Sequence, residues 1–198
     1  MATKILLIRH GQTEWNRRKR YSGFIDIDIN ARGVSQVRRL AKRLKDVAIY
    51  KVYSSDRKRA LHSAQILFPG RPIQIEADLR EMHFGIFEGM TFKQIMKQHP
   101  RIYKKWLRDP FSVKIPEGED TRGFKKRVVE AIKKIISQNR DKTVAVVSHG
   151  GAISMFINYI LRKNNFWKYI PKPASLSVVE VSNGKAKLRV FNDTSFLT

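Results

Sequence analysis

No cysteine occurs in the 198 residues. That excludes disulfides, thiolate metal sites and a cysteine nucleophile, and it fits a reducing compartment. Long apolar runs are missing too: nothing approaches the roughly 18 consecutive apolar residues of a membrane span. The amino terminus has no charged stretch leading into an apolar core and cleavage site, so the expected address is the cytoplasm. Acidic residues are scarce, with 17 Asp+Glu against 40 Lys+Arg and a formal net charge of +23. Such a chain attracts polyanions and anionic surfaces at low salt. Its basic runs, such as Arg17-Arg18-Lys19-Arg20 and Lys125-Lys126-Arg127, are scattered rather than gathered beside stacking aromatics. A dedicated nucleic-acid module is therefore the weaker reading, and non-specific polyanion binding the expected consequence.

What is present is an ordered pattern. The 42% hydrophobic content and the length suit one well-buried core, so residues 1–198 read as a single domain. Ile5 to Ile8 is a short continuous apolar run that turns abruptly polar at Arg9-His10-Gly11, the pattern of a strand covered on both faces. Asn30 to Lys45 spaces Val34, Val37, Leu40, Ala41 and Leu44 as one helical face. Ile49 to Tyr53 reads as a strand, with Ser54-Ser55-Asp56 as capping residues for a helix through Ala60, Ala64 and Leu67. Pro72 to Ile75 is a further short strand candidate. Met90 to Leu107 reads as helix broken at Pro100, and Phe124 to Ile136 as a long helix behind Asp120. Thr143 to Val147 repeats the opening pattern and delivers Ser148-His149-Gly150-Gly151 into a second apolar helix. Asn183-Gly184 between two alternating runs marks a hairpin. Strand–helix alternation predicts a three-layer α/β/α fold with a mostly parallel sheet and an antiparallel edge hairpin.

Two buried strands thus each end in a histidine, at the carboxyl edge where open α/β sheets place ligands. The segments around them resemble the histidine phosphatase superfamily, in its phosphoglycerate-mutase-like branch. Arg9-His10-Gly11-Gln12-Thr13-Glu14-Trp15-Asn16 is similar to that family's signature over eight positions. Ser22-Gly23-Phe24, Ser54-Ser55-Asp56 with Arg59, Leu79-Arg80-Glu81 with Phe84-Gly85 and Glu88-Gly89, Gly118-Glu119 with Arg127, and Val147-Ser148-His149-Gly150-Gly151 are similar to its later blocks. Two departures occur: Asn30 stands in a segment usually worded with Thr or Ser, and Asp120 stands where serine commonly follows Gly-Glu.

The resemblance implies that His10 is the nucleophile and forms a phosphohistidine. It implies that Arg9, Arg59 and His149 clamp the phosphoryl oxygens while Glu81 donates a proton to the leaving group. Phosphoryl transfer asks a protein chiefly for positioning and for cations around the equatorial oxygens, and no metal or other cofactor is expected. Nearby arginines should hold His10 neutral, and burial beside Met82, Phe84 and Phe87 should favour a protonated Glu81. Gly150 and Gly151 offer helix amino-terminal amides to an anion. Asn16 and Thr13 are secondary phosphate donors in this reading, and His83 and Gly23 are specificity candidates. His62 and His99 fit helical surfaces.

The expected activity is hydrolysis of a small-molecule phosphomonoester. The short connection from Gly89 to Gly118 argues against the longer insertions that the resemblance associates with cofactor-dependent mutases. The alternatives are mutase-type phosphoryl transfer and, from another class, a non-catalytic polyanion-binding module. Neither the substrate nor the assembly, a homodimer included, is fixed by these residues.

Overall fold

A computed structural model describes residues 2–197. Six strands form one sheet in the order β3-β2-β4-β1-β5-β6. They are β1 (Thr3–Arg9), β2 (Lys51–Ser54), β3 (Ile73–Ile75), β4 (Thr143–Ser148), β5 (Leu176–Ser182) and β6 (Lys185–Asp193). The first four run parallel, and β5 and β6 are antiparallel. The hairpin turns at Asn183-Gly184, both with positive φ, as a two-residue turn between twisted strands requires.

The pleat of β1 divides the core. Ile5 and Leu7 face one side with Tyr53, Val144 and Val146, against helices α6 (Thr121–Gln138) and α7 (Gly150–Ile160). Leu6 and Ile8 face the other with Val52, Ala145 and Val147, against α2 (Ala31–Leu44) and α3 (Lys58–Leu67). Both faces are covered, which explains why β1 and β4 read as continuous apolar runs. The expected three-layer α/β/α arrangement is what the chain forms. Register places Leu7 opposite Val146 and Arg9 opposite Ser148, so the two strands end level.

The expected helix between Met90 and Leu107 forms as α4 (Phe92–Gln98) and α5 (Pro100–Arg108), with Pro100 in the first turn of the second. Trp106 and Tyr103 from α5 pack on Phe87, extending the α6/α7 side of the core. The one-turn helix α1 (Glu14–Arg17) was not anticipated; a capping box between Thr13 and Asn16 builds it. Asn30 caps α2 by accepting from the Gly33 amide, and Asp120 caps α6 by accepting from Gly123, so both departures from the usual wording keep the cap.

The caps expected for α3 are different. Its N-cap is Arg57, with no side-chain cap bond of its own. Asp26, more than thirty residues earlier, accepts from the Lys58 amide at 2.8 Å. Ser55 Oγ reaches only the amide of Arg57 itself, at 3.4 Å, and is shared with His149, while Asp56 is engaged with Arg80.

Candidate active site

The level ends of β1 and β4 bring His10 and His149 together. The His10 amide donates to the Ser148 carbonyl, and the two rings meet edge-on with centroids 5.2 Å apart. Both side chains are buried. His10 Nδ1 lies 2.7 Å from the Gly11 carbonyl oxygen, an acceptor, so Nδ1 carries the proton and Nε2 keeps its lone pair. No protein partner occupies Nε2 among the described residues. Burial, Arg59 and then Arg9 lower the pKa of His10 well below its ordinary 6.5, against a smaller opposing effect of the Gly11 carbonyl. The imidazole is thus neutral and nucleophilic at neutral pH.

His149 is bonded through both nitrogens. Arg59 Nε donates to Nδ1 at 3.2 Å, which makes Nδ1 the acceptor, so the Nε2–H donates to Ser55 Oγ at 2.9 Å. Burial first, and then Arg59, hold its pKa well below 6.5. A cationic His149, part of the expected clamp, is therefore disfavoured in this geometry.

The arginines differ in the same way. Arg59 is 1% exposed and makes four bonds with its five N–H groups: one to His149, and three to the carbonyls of Ile25, Ser22 and Gly23. Burial lowers its pKa to about 10, leaving it charged at neutral pH. Arg9 is half-buried. Its Nη1 donates to the Pro171 carbonyl at 2.5 Å, and its Nε is buried without a partner. An orphaned, buried guanidinium N–H costs free energy that an incoming anion would recover.

Glu81 closes the opposite wall. Its carboxylate accepts from the Met82 amide at 2.9 Å and the Gly151 amide at 2.8 Å. The approach is so close that a Cβ on Gly151 would lie 2.3 Å from Glu81 Oε1, which explains the glycine. Burial raises the pKa of Glu81 above its ordinary 4.5. Its two amide bonds and the charges of Arg9 and Arg59 oppose that rise. The Gly151 amide is consequently not free for a ligand, whereas Gly150 lies directly beneath the Arg9 guanidinium.

Arg9, His10, Asn16, Glu81, Gly150 and Gly151 line a cavity of about 140 Å³. His149 and Arg59 stand one layer behind it. Three anticipated residues lie outside. Thr13 is fully buried outside the cavity lining, and its hydroxyl accepts from the Asn16 amide in the α1 cap. Gly23 is packed where a Cβ would lie 2.1 Å from the Met82 carbonyl, with its amide donating to Glu88 and its carbonyl accepting from Arg59. His83 packs edge-on to Phe24 and accepts from the Gly85 amide, turned away from the cavity.

The outer wall was largely unforeseen: Arg20, Tyr21, Ser22, Phe84, Phe166 and Trp167. Arg20 donates to the Gly89 carbonyl, and the Tyr21 hydroxyl shares a hydrogen bond of 2.7 Å with Tyr103. Arg20 is the last residue of the basic run Arg17-Arg18-Lys19-Arg20, which on its own points only to attraction of polyanions. Phe166 and Trp167 follow α7 behind the polar run Arg162-Lys163-Asn164-Asn165, which none of the motif blocks covers.

A parallel-sheet α/β protein with a buried, neutral, half-free histidine beside an underbonded arginine and a desolvated carboxyl is the class that fold and site define. The chain belongs to the histidine phosphatase superfamily (branch 1), whose family model matches residues 5–194. It is 36% identical over 155 residues to phosphoglycerate mutase-like protein 4 of Arabidopsis thaliana, covering 76% of this chain and 67% of that one. It is 30% identical over 193 residues to the adenosylcobalamin/alpha-ribazole phosphatase of Escherichia coli K12, covering 96% and 95%. Among solved structures, a mutant phosphoserine phosphatase of Entamoeba histolytica in complex with phosphoserine superposes with a TM-score of 0.90 at 28% identity, covering 99% and 100%. Among the described residues, no helix is long and apolar enough to cross a membrane.

Proposed function

We propose that the protein hydrolyses a small-molecule phosphomonoester through a phosphohistidine on His10, without a metal ion. The observation that carries this reading is the state of His10: Nδ1 fixed on Gly11, and Nε2 carrying its lone pair on the cavity wall between Arg9 and Glu81. Nε2 attacks phosphorus in line, an N–P bond forms, and the P–O bond to the alcohol breaks. The departing oxygen takes the proton of Glu81, and the Gly11 carbonyl supports the positive charge that develops on the ring. Water then attacks the phosphohistidine and gives a proton back to Glu81, and Nε2 leaves with its electron pair as inorganic phosphate is released. Arg9 and the Gly150 amide face the phosphoryl oxygens, with Asn16 as a further donor. Arg59 and His149 act from behind, by holding His10 and the Ser22–Gly23 turn. The fixed cations supply the charge stabilisation that a metal would otherwise bring.

Hydrolysis of p-nitrophenyl phosphate in EDTA tests the reading. Activity in wild type that disappears in His10→Ala supports it; EDTA-sensitive turnover, or turnover that survives in His10→Ala, refutes it. A panel of phosphomonoesters that includes phosphoserine, compared by kcat/KM, then identifies the substrate. Mutase-type transfer is the second reading, favoured by the name of the Arabidopsis relative, and it predicts phosphoryl transfer to a second sugar-acid hydroxyl faster than to water. A cytoplasmic location and weak, salt-sensitive polyanion binding belong to the same proposal. They rest on the absence of cysteine and the +23 charge, and retention on heparin that persists at high salt would contradict simple charge attraction.

A further inference from the structure

The block Gly118-Glu119 with Arg127 has no part in the chemistry above, yet it makes the densest polar contacts near the site. Arg127 projects from α6 with its guanidinium over the Phe124 ring. It is one-fifth exposed, as is Glu119. Its Nε and Nη2 donate to the two carboxylate oxygens of Glu119 at 2.6 and 2.7 Å. Nη1 donates to the carbonyls of Asp78 and Arg80 at 2.8 and 2.9 Å, and Nη2 to that of Glu81 at 3.0 Å. Five N–H groups thus make five bonds, the full capacity of the side chain. The carbonyl left between them, that of Leu79, accepts from Ser148 Oγ at 2.7 Å. Four consecutive carbonyls, from residue 78 to residue 81, are therefore each held by a side chain, and the segment ends on Glu81.

We propose that Arg127, braced by Glu119 and assisted by Ser148, is the positioning residue for the proton donor Glu81. Loop carbonyls ordinarily bond to water or to a neighbouring turn, and a loop so held can shift. Here the two supports come from α6, which begins two residues after the Glu119 brace, and from the last residue of β4, which directly precedes His149. The distance from the Glu81 carboxyl to the His10 strand is thereby set by rigid elements rather than by the loop. Glu119 contributes a second property. It neutralises the arginine on the side away from the site, so the support brings little net positive charge towards a carboxyl that has to keep its proton. Glu119 also ties the far end of the acid segment, since its amide donates to the His83 carbonyl at 2.9 Å.

The inference rests on Glu81 acting as the acid, and the leaving group separates the two ideas. An alkyl phosphate needs a proton on its departing oxygen, and p-nitrophenyl phosphate scarcely does. The comparison is kcat/KM for both esters in wild type, Glu81→Gln, Arg127→Lys and the double variant. Lysine keeps the charge opposite Glu119 but cannot reach three carbonyls at once. Arg127→Lys is expected to lose about 30- to 100-fold with glycerol 2-phosphate and less than about 3-fold with p-nitrophenyl phosphate, a partial loss of the roughly 10²–10⁴-fold that a general acid contributes. The double variant should be no worse than Glu81→Gln by more than about 3-fold, because both substitutions remove one function. Equal losses on both esters, or a multiplied loss in the double variant, would overturn the proposal as a general effect on the fold. If Glu81→Gln itself shows no leaving-group dependence, the acid role fails and the inference falls with it. A dependence in Glu81→Gln that is absent from Arg127→Lys removes the positioning role alone. Should Arg127→Lys not stay folded in a thermal melt, Ser148→Ala carries the comparison: a selective loss on the alkyl ester supports the device, and wild-type behaviour overturns it.

Discussion

The two strand ends at the centre of the sheet are built from one pattern and finished differently. β1 delivers Arg9 and His10, and β4 delivers Ser148 and His149, in register and side by side. On the β1 end, His10 has an unoccupied Nε2 and Arg9 an orphaned Nε. On the β4 end, Ser148 is bonded to the acid loop and His149 is bonded through both nitrogens, one of them to an Arg59 that has four bonds itself. Polar capacity left open marks where a ligand enters, and polar capacity closed on the protein marks what holds the reacting groups still. Burial and charge type alone do not distinguish the two halves; hydrogen-bond accounting does.

The division can be broken most sharply at His10. His10→Ala removes the proposed nucleophile, and the expected loss in kcat/KM is on the order of 10⁵-fold or more, the size seen when a covalent catalyst is deleted. His10→Gln should fare no better, because an amide cannot accept the phosphoryl group. His149 should behave otherwise. His149→Ala leaves Arg59 Nε and Ser55 Oγ without their partner, and about a 100- to 1000-fold loss is expected from a displaced His10 and Arg59. His149→Gln can present an oxygen to Arg59 and an amide N–H to Ser55, and it should recover at least about tenfold of that loss by the same bond accounting. A glutamine variant at His149 as dead as His10→Gln would mean that both halves do chemistry.

The acid role proposed for Glu81 adds a pH dependence. Burial holds the Glu81 pKa above its ordinary value, so the protonated donor is the form lost as pH rises. Turnover of an alkyl phosphate should decline on the alkaline side while p-nitrophenyl phosphate declines less, by up to about tenfold per pH unit once Glu81 has ionised. An alkyl phosphate hydrolysed equally well at pH 6 and pH 9 would remove the role of Glu81.

How much of this was legible depended on distance along the chain. The strands β1 and β4, the amphipathic helices and the Asn183-Gly184 turn follow from local periodicity and turn chemistry, and they come out where expected. The residues that meet at the site, from Arg9 to His149, followed from the motif blocks. What stayed hidden is the choice among equally suitable partners. Ser55 and Asp56 look like the caps of α3, but Asp26 takes that task and frees them for His149 and Arg80. Thr13 looks like a phosphate donor, but it is buried outside the cavity lining with its hydroxyl accepting in the cap of a one-turn helix. The cradle under Glu81 needs an arginine 46 residues further along, and nothing local to either segment announces the pairing. Phe166 and Trp167 wall the cavity only because the chain after α7 runs back along that helix, where Ser154 Oγ donates to the Phe166 carbonyl.

The smallest expected effect concerns stability, and it asks whether the closed half is also the stiffer one electrostatically. Both histidines have folded-state pKa values well below 6.5, whereas an unfolded chain keeps histidine near its ordinary value. Below about pH 6.5 the unfolded state therefore binds more protons than the native one, so stability falls as pH falls, by at most about 1.4 kcal/mol per pH unit for each histidine. Glu81 works in the opposite direction, because its raised pKa lets the native state hold a proton that the unfolded state has released. Differences between variants isolate the histidines. A proton on His10 can enter at the free Nε2 without breaking a bond, whereas a proton on His149 must enter at Nδ1, against the Arg59 N–H. His149→Gln should therefore flatten the fall in urea midpoint between pH 7 and pH 5 more than His10→Gln does. Equal flattening would show that both histidines stay unprotonated in the folded state down to pH 5, so that the bonds to Arg59 and Ser55 add nothing within that window.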